Sequence, residues 1–207
     1  MRFAPLAAIL LVAATSAFAA SAPAPKDKAL AKAIADSHRS APFVARDQYR
    51  KPQAELEFFG IKPNMTVVEI WPSGGYWTEI LGPYLKDKGT YYTAIFPAAM
   101  SERTAKAAED WKAKLAAAKD VYGDVKVTEF GKGAADIAPP GSVDMVLTFR
   151  NVHNWMPMGF VEEAFPAFFR ALKPGGILGV EDHRANTDKP QDPKSENGYV
   201  RQDYVIA

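Results

Sequence analysis

Residues 67–85 read VVEIWPSGGYWTEILGPYL. Val67 and Val68 lead to an acid, Glu69; a glycine pair, Gly74-Gly75, follows; and from Tyr76 onward apolar residues recur at helical spacing. A short apolar strand, a glycine turn and a helix, in that order, open a strand-helix-strand unit whose turn is of the nucleotide-binding kind. The turn breaks its own rule at once. Trp71 and Ser73 stand where a glycine-rich loop has its first and second glycines.

Outward from this stretch the same alternation continues. Upstream, 29–37 and 47–59 have helical periodicity, the second with Leu56 and Phe59 on one face and Gly60 as its stop. Downstream, the pattern predicts strands at 90–96, 125–130, 143–149 and 177–181, with helices at 101–119, capped by Ser101, and at 159–172, stopped by Lys173-Pro174-Gly175-Gly176. Strands apolar on both faces and separated by helices imply an α/β fold, a mostly parallel sheet covered on both sides with right-handed crossovers. Ligands in such sheets bind at the carboxyl ends of strands, near the switch in strand order. The loops after Ile70, Phe96, Phe130, Phe149 and Glu181 therefore carry the functional interest.

The first 19 residues, MRFAPLAAILLVAATSAFA, have one charge at Arg2, an apolar centre and a small-x-small end, the pattern of a secretory signal peptide. The expected organisation is a signal peptide at 1–19, a linker at 20–28 and one domain at 29–207, exported to the periplasm or secreted, with no stable membrane insertion. Removing Arg2 takes the formal charge from +1 to 0, which does not point to a nucleic-acid partner. There is no cysteine, so disulfides, thiolate metal sites and cysteine nucleophiles are excluded.

Three segments, the 69–75 loop, 141-GSVDMVLTFRNVHNW-155 and 171-ALKPGGILGVEDHRA-185, lie in the order and spacing of the class I S-adenosylmethionine-dependent methyltransferases. The chain resembles in particular a bacterial group of exported predicted methyltransferases, which shares the Trp-Pro of the first loop and 46-RDQYRKP-52. The resemblance implies a Rossmann-like fold, S-adenosylmethionine as cofactor and an unidentified small molecule as methyl acceptor. It implies that Glu69, Trp71, Gly74 and Gly75 contact the cofactor, that Asp136 is the acid nearest the adenine position, and that Asn151 faces both cofactor and acceptor. His153, Asn151 and His183 become the candidates for orienting or deprotonating the acceptor. The chain lacks the acid that ends the second strand in the family, since 91-YYTAIFP-97 contains none. It also lacks a counterpart of the C-terminal antiparallel strand hairpin, so an exposed sheet edge is expected to invite self-association.

Each assignment has a plainer reading. Trp71 can be core and the glycine pair a tight turn; Asp136 can cap the turn before Pro139-Pro140; His153 can be a packed imidazole; Arg46, Asp47 and Arg50 can be a salt-bridged helix start. The competing functional class is a ligand- or partner-binding module that keeps the fold without the chemistry, and the missing second-strand acid argues against a nicotinamide oxidoreductase. His153, Asp182 and His183 form no i, i+4 ligand pair, and no metal site is assigned.

Overall fold

The computed structural model describes residues 27–207. The expected signal peptide, and all of the linker but its last two residues, lie outside them. Four short helices precede the sheet: α1 (Lys28–Ile34), α2 (Ala41–Val44), α3 (Asp47–Arg50) and α4 (Pro52–Phe59). Asp27 caps α1 by accepting from the amides of Ala29 and Leu30. The 47–59 stretch, expected as one helix, is two, because Lys51 adopts a left-handed φ of 45° ahead of Pro52, whose ring disfavours a helical predecessor. Gly60, with φ 77°, ends α4 as expected.

The body follows as β1 (Thr66–Ile70), α5 (Thr78–Leu85), β2 (Thr90–Ile95), α6 (Glu102–Ala117), α7 (Lys119–Tyr122), β3 (Lys126–Glu129), β4 (Val143–Phe149), α8 (Val152–Met158), α9 (Val161–Ala171) and β5 (Leu172–Glu181), with α10 (Gln202–Ile206) after it. Ser101 caps α6 through a reciprocal pair of bonds with Thr104. All strand pairs are parallel, in the order β3-β2-β1-β4-β5, so the switch point falls between β1 and β4. The expected Rossmann-like arrangement is the observed one.

Two further elements differ from the expectation. Residues 152–158, read from their polar start as loop, form α8, because Val152, Trp155 and Met156 point one way into the core. The Lys-Pro-Gly-Gly segment belongs to β5 rather than to a loop before it; the ladder shifts register between Val143 and Met145 to accommodate it. The core has two main layers. Val68, Phe130, Trp155, Phe160 and Phe168 fill one side of the sheet, and Leu30, Leu56, Trp77, Ile80 and Leu85 fill the other.

Candidate functional site

The first loop holds Trp71, Ser73 and Gly75 at φ 49°, 53° and 96°. These are conformations that glycine adopts freely and other residues adopt at a cost of about 1 kcal/mol or more each. The backbone thus keeps a glycine-loop path at two positions that are not glycine. What holds it is packing. The Trp71 amide donates to the Ala94 carbonyl at 2.8 Å, and its indole Nε1 donates to the Phe130 carbonyl, also at 2.8 Å. The ring stacks on Phe96 with centroids 3.9 Å apart and meets Phe130, Trp155 and Phe160, leaving Trp71 only 5% exposed.

Glu69 is 1% exposed and lies beneath this loop. It accepts from Thr78 Oγ1 at 2.8 Å and from the Tyr91 hydroxyl. Burial pushes its carboxyl up to about 7, with the two hydroxyls pulling the other way. Both glycines are closely packed: a Cβ on Gly74 would lie 3.3 Å from the Phe43 ring, and one on Gly75 would lie 3.1 Å from the Trp111 ring. Asn151, the residue before α8, joins the switch point by donating from Nδ2 to the Ile70 carbonyl at 3.1 Å and to Thr148 Oγ1 at 3.2 Å. Outside the indole, a cleft of about 530 Å³ opens between the loop and α6, walled by Trp71, Phe96, Met100 and Trp111 with Ser73 and Arg103 among its polar lining. Asp136 is exposed in the loop after β3 and has no side-chain hydrogen bond or ion pair among the described residues.

A second group forms where β4 and β5 end side by side. Arg150, at φ 64°, donates its amide to the Glu181 carbonyl at 2.7 Å and its Nε to His183 Nε2 at 2.9 Å. A guanidinium only donates, so His183 Nε2 is an acceptor and the neutral ring carries its proton on Nδ1. Burial, then the Arg150 charge, holds His183 below its ordinary value. Asp182 binds His153 twice, accepting at Oδ1 from the ring Nδ1 at 2.6 Å and at Oδ2 from the His153 amide at 3.2 Å. Its Oδ1 also accepts from the His183 amide at 2.7 Å. This fixes the Nδ1–H tautomer of His153 and leaves Nε2, which has no partner among the described residues, as the basic nitrogen. A carboxylate holding an imidazole with its far nitrogen open is an arrangement suited to taking up a proton.

The N-terminal helices contribute a third set of charges. Arg39 pairs with both oxygens of Asp47 at 2.6 and 3.0 Å, Tyr76 donates to Asp47, and the Arg50 guanidinium lies 4.5 Å from the Tyr76 ring centroid. Arg46, Asp47 and Arg50 are therefore unlike one another: Asp47 is bound into a half-buried network with Arg39 and Tyr76, while Arg46 and Arg50 make no ion pair among the described residues.

Of the residues singled out in the sequence, Glu69, Trp71, Gly74, Gly75 and Asn151 meet around the first loop. His153 and His183 meet at the β4 and β5 ends, their rings 5.7 Å apart. Asp136 joins neither group by any bond. Asp182, grouped with His153 and His183 in the sequence only as a possible metal ligand, is the partner of His153; its signal was its place just past β5, next to β4 in a parallel sheet. Among the described residues no group of three or more acidic or histidine side chains is arranged to hold a metal ion, and no helix is long and apolar enough to cross a membrane.

No protein-family model matches the sequence, and no curated protein sequence matches it. Among solved structures, an S-adenosylmethionine-dependent methyltransferase from Aquifex aeolicus is similar at 20% identity over 78% of each chain, with a TM-score of 0.51. The O-methyltransferase TomG from Streptomyces achromogenes is similar at 20% identity over 84% of this chain and 75% of its own, with a TM-score of 0.41. An arsenic(III) S-adenosylmethionine methyltransferase from Chlamydomonas reinhardtii is similar at 18% identity over 76% and 48%, with a TM-score of 0.42. The last two superpose too loosely to carry an argument. The sheet order and the first of the three show the fold: it is the Rossmann-like fold also seen in class I methyltransferases.

Proposed function

We propose that the protein is an S-adenosylmethionine-dependent methyltransferase acting on a small molecule. The observation that carries this reading is the first loop, whose backbone takes the glycine path at Trp71, Ser73 and Gly75 beside an apolar cleft. The cleft has the size and the aromatic wall that a purine needs, and its polar lining is suited to a ribose. The fit is poor at Glu69, which is 1% exposed and whose Oε2 accepts from both Thr78 and Tyr91. The residues proposed to hold the cofactor are therefore Trp71, Ser73 and the Phe96 to Arg103 wall. The cofactor, when bound, supplies an electrophilic methyl group. The chain's own part is to hold the acceptor and take its proton at His153 Nε2, with Asp182 keeping the ring oriented and stabilising the charge it gains.

A second reading is a binding module without methyl transfer, and the filling of the sheet end by the Trp71 indole favours it. Calorimetric titration with S-adenosylmethionine and its demethylated product separates the two. Saturable binding by the unaltered chain supports the transferase. Binding that appears only in Trp71→Gly supports the module, with the indole as a plug.

Export is proposed on the pattern of residues 1–19; intact Met1-initiated protein recovered from the cytoplasm alone, by mass spectrometry of cell fractions, would overturn it. Self-association is proposed on the outer edge of β5, which pairs with β4 on one side only. A single monomeric species across the concentration range in sedimentation would rule it out.

A further inference from the structure

A base can act only on a molecule that reaches it. Among the described residues six side-chain polar atoms are buried without a partner, on Arg39, Arg50, Glu55, Trp77, Trp155 and Glu181. None is on His153, His183 or Arg150, so the unpartnered atoms of these three side chains are open to solvent. They are His153 Nε2, which accepts; His183 Nδ1–H, which donates; and the two terminal nitrogens of Arg150, which donate. The two ring centroids are 5.7 Å apart, and Arg150 Nε is 2.9 Å from His183 Nε2. One open acceptor among several open donors therefore stands where β4 and β5 end.

The charge around this group has a sign. Arg46, Glu181 and Arg150 all act on Arg50, yet none of the three arginines forms an ion pair with a carboxylate of this group. Asp182 is taken by the His153 ring and by two backbone amides. Burial pushes the Glu181 carboxyl up, with Arg50 and Arg150 pulling the other way. Glu55, pushed up to about 8 by burial and then by the Glu181 charge, is mostly protonated at neutral pH. Three guanidiniums thus outweigh the two carboxylates, which favours a group that turns negative in place over one that arrives positive.

An amine arrives as an ammonium, which meets this positive excess and has no lone pair for His183 or Arg150. A hydroxyl can give its proton to His153 and accept from the donors with the same oxygen. Of hydroxyls, a phenol has an ordinary value near about 10, close enough to neutral for these charges to bring its ionisation within reach of an imidazole. Tyr199, 48% exposed with its ring 5.6 Å from that of His183, offers an aromatic face beside the group.

We propose that the acceptor is a phenol, its O–H directed at His153 Nε2 and its oxygen at His183 Nδ1–H and the Arg150 guanidinium. The proton passes to Nε2, leaving a phenolate and an imidazolium whose charge Asp182 balances; no other bond changes in this step. That the phenol is a methyl acceptor rests on the transferase reading, whereas its binding and ionisation do not.

4-Nitrophenol is the probe, because its phenolate is yellow and its phenol is not. Titrated into the full chain, it is expected to bind and to ionise with a midpoint lower than in buffer by about one pH unit or more. 4-Nitroanisole, which has no proton to give, and 4-nitrobenzylamine, an ammonium, are expected to bind about tenfold or more weaker by calorimetry. His153→Asn is expected to abolish the colour change, and Arg150→Gln to return the midpoint toward that in buffer, with a thermal midpoint within a few degrees as the check of folding. Arg50→Gln makes the same charge test should Arg150→Gln unfold. Binding of 4-nitrophenol without the colour change would overturn the proposal, as would either control binding as tightly, no saturable binding of any probe, or a full colour change in folded His153→Asn. Ionisation of bound 4-nitrophenol by a chain that does not bind S-adenosylmethionine would count against the transferase reading and leave the phenol site standing.

Discussion

The two loop regions at the carboxyl end of the sheet are built on the same backbone device and put to opposite use. Trp71 and Ser73 in the first, and Arg150 in the second, all hold left-handed backbone without being glycine. In the first region the singled-out side chains bond inside the protein: Glu69 Oε2 with Thr78 and Tyr91, the Trp71 indole with the Phe130 carbonyl, Asn151 with Ile70 and Thr148. In the second, the bonds from Asp182 and Arg150 orient two imidazoles and leave His153 Nε2 open, with Glu55, Glu181 and Arg50 unsatisfied behind them. Left-handed residues by themselves therefore do not mark a working site. What distinguishes the regions is whether the groups they aim are already partnered.

The contrast is sharpest at Trp71. Trp71→Ala removes the ring stack, the buried indole bond and the core contacts, and is expected to cost about 3–5 kcal/mol in urea unfolding. Trp71→Gly should recover about 1 kcal/mol of that, because glycine takes φ 49° without strain. A loss below about 1 kcal/mol for the alanine variant would mean that the first loop is not the closed, core-like region described.

Glu69 gives the next largest effect through pH. Its folded value of about 7 lies above the ordinary 4.5, so between these values the unfolded chain gives up its proton before the folded one. Stability from this group is full below pH 4.5, declines as pH rises toward 7 and is level above, a total of up to about 3 kcal/mol. Glu69→Gln should flatten that slope in melts at pH 5, 6 and 7. An unchanged slope would assign the pH dependence elsewhere, Glu55 being the next group to examine.

At the second region, His153→Asn should leave the thermal midpoint within a few degrees while any methyl transfer falls about 10²-fold. Asp182→Asn should act through the ring alone: nitrogen chemical shifts of His153 should report loss of the fixed Nδ1–H tautomer. Early melting of His153→Asn, with full specific activity in the folded fraction, would make the second region as structural as the first.

The smallest effect is expected at Asp136. Exposed and unpartnered, it should tolerate alanine within about 0.5 kcal/mol. A fall in S-adenosylmethionine affinity with stability unchanged would add the loop after β3 to the ligand-facing set.

The strand and helix order, the parallel sheet, the Ser101 cap, the Gly60 stop and the loops at the carboxyl ends of the strands were legible in the sequence. These follow from hydrophobic spacing and from bonds between residues three or four apart, which the chain carries locally. Lys51 and α8 were less legible, because a left-handed break and a polar-led helix are fixed by what they pack against. Long-range packing fixes which way the Trp71 indole turns, that Glu69 accepts from Tyr91 on the next strand, and that Asp182 holds His153. The last pair is 29 residues apart in sequence and meets only because β4 and β5 run in parallel register, Phe149 beside Glu181. No local pattern encodes that register; it is set when both strands bury their apolar faces against the same helices.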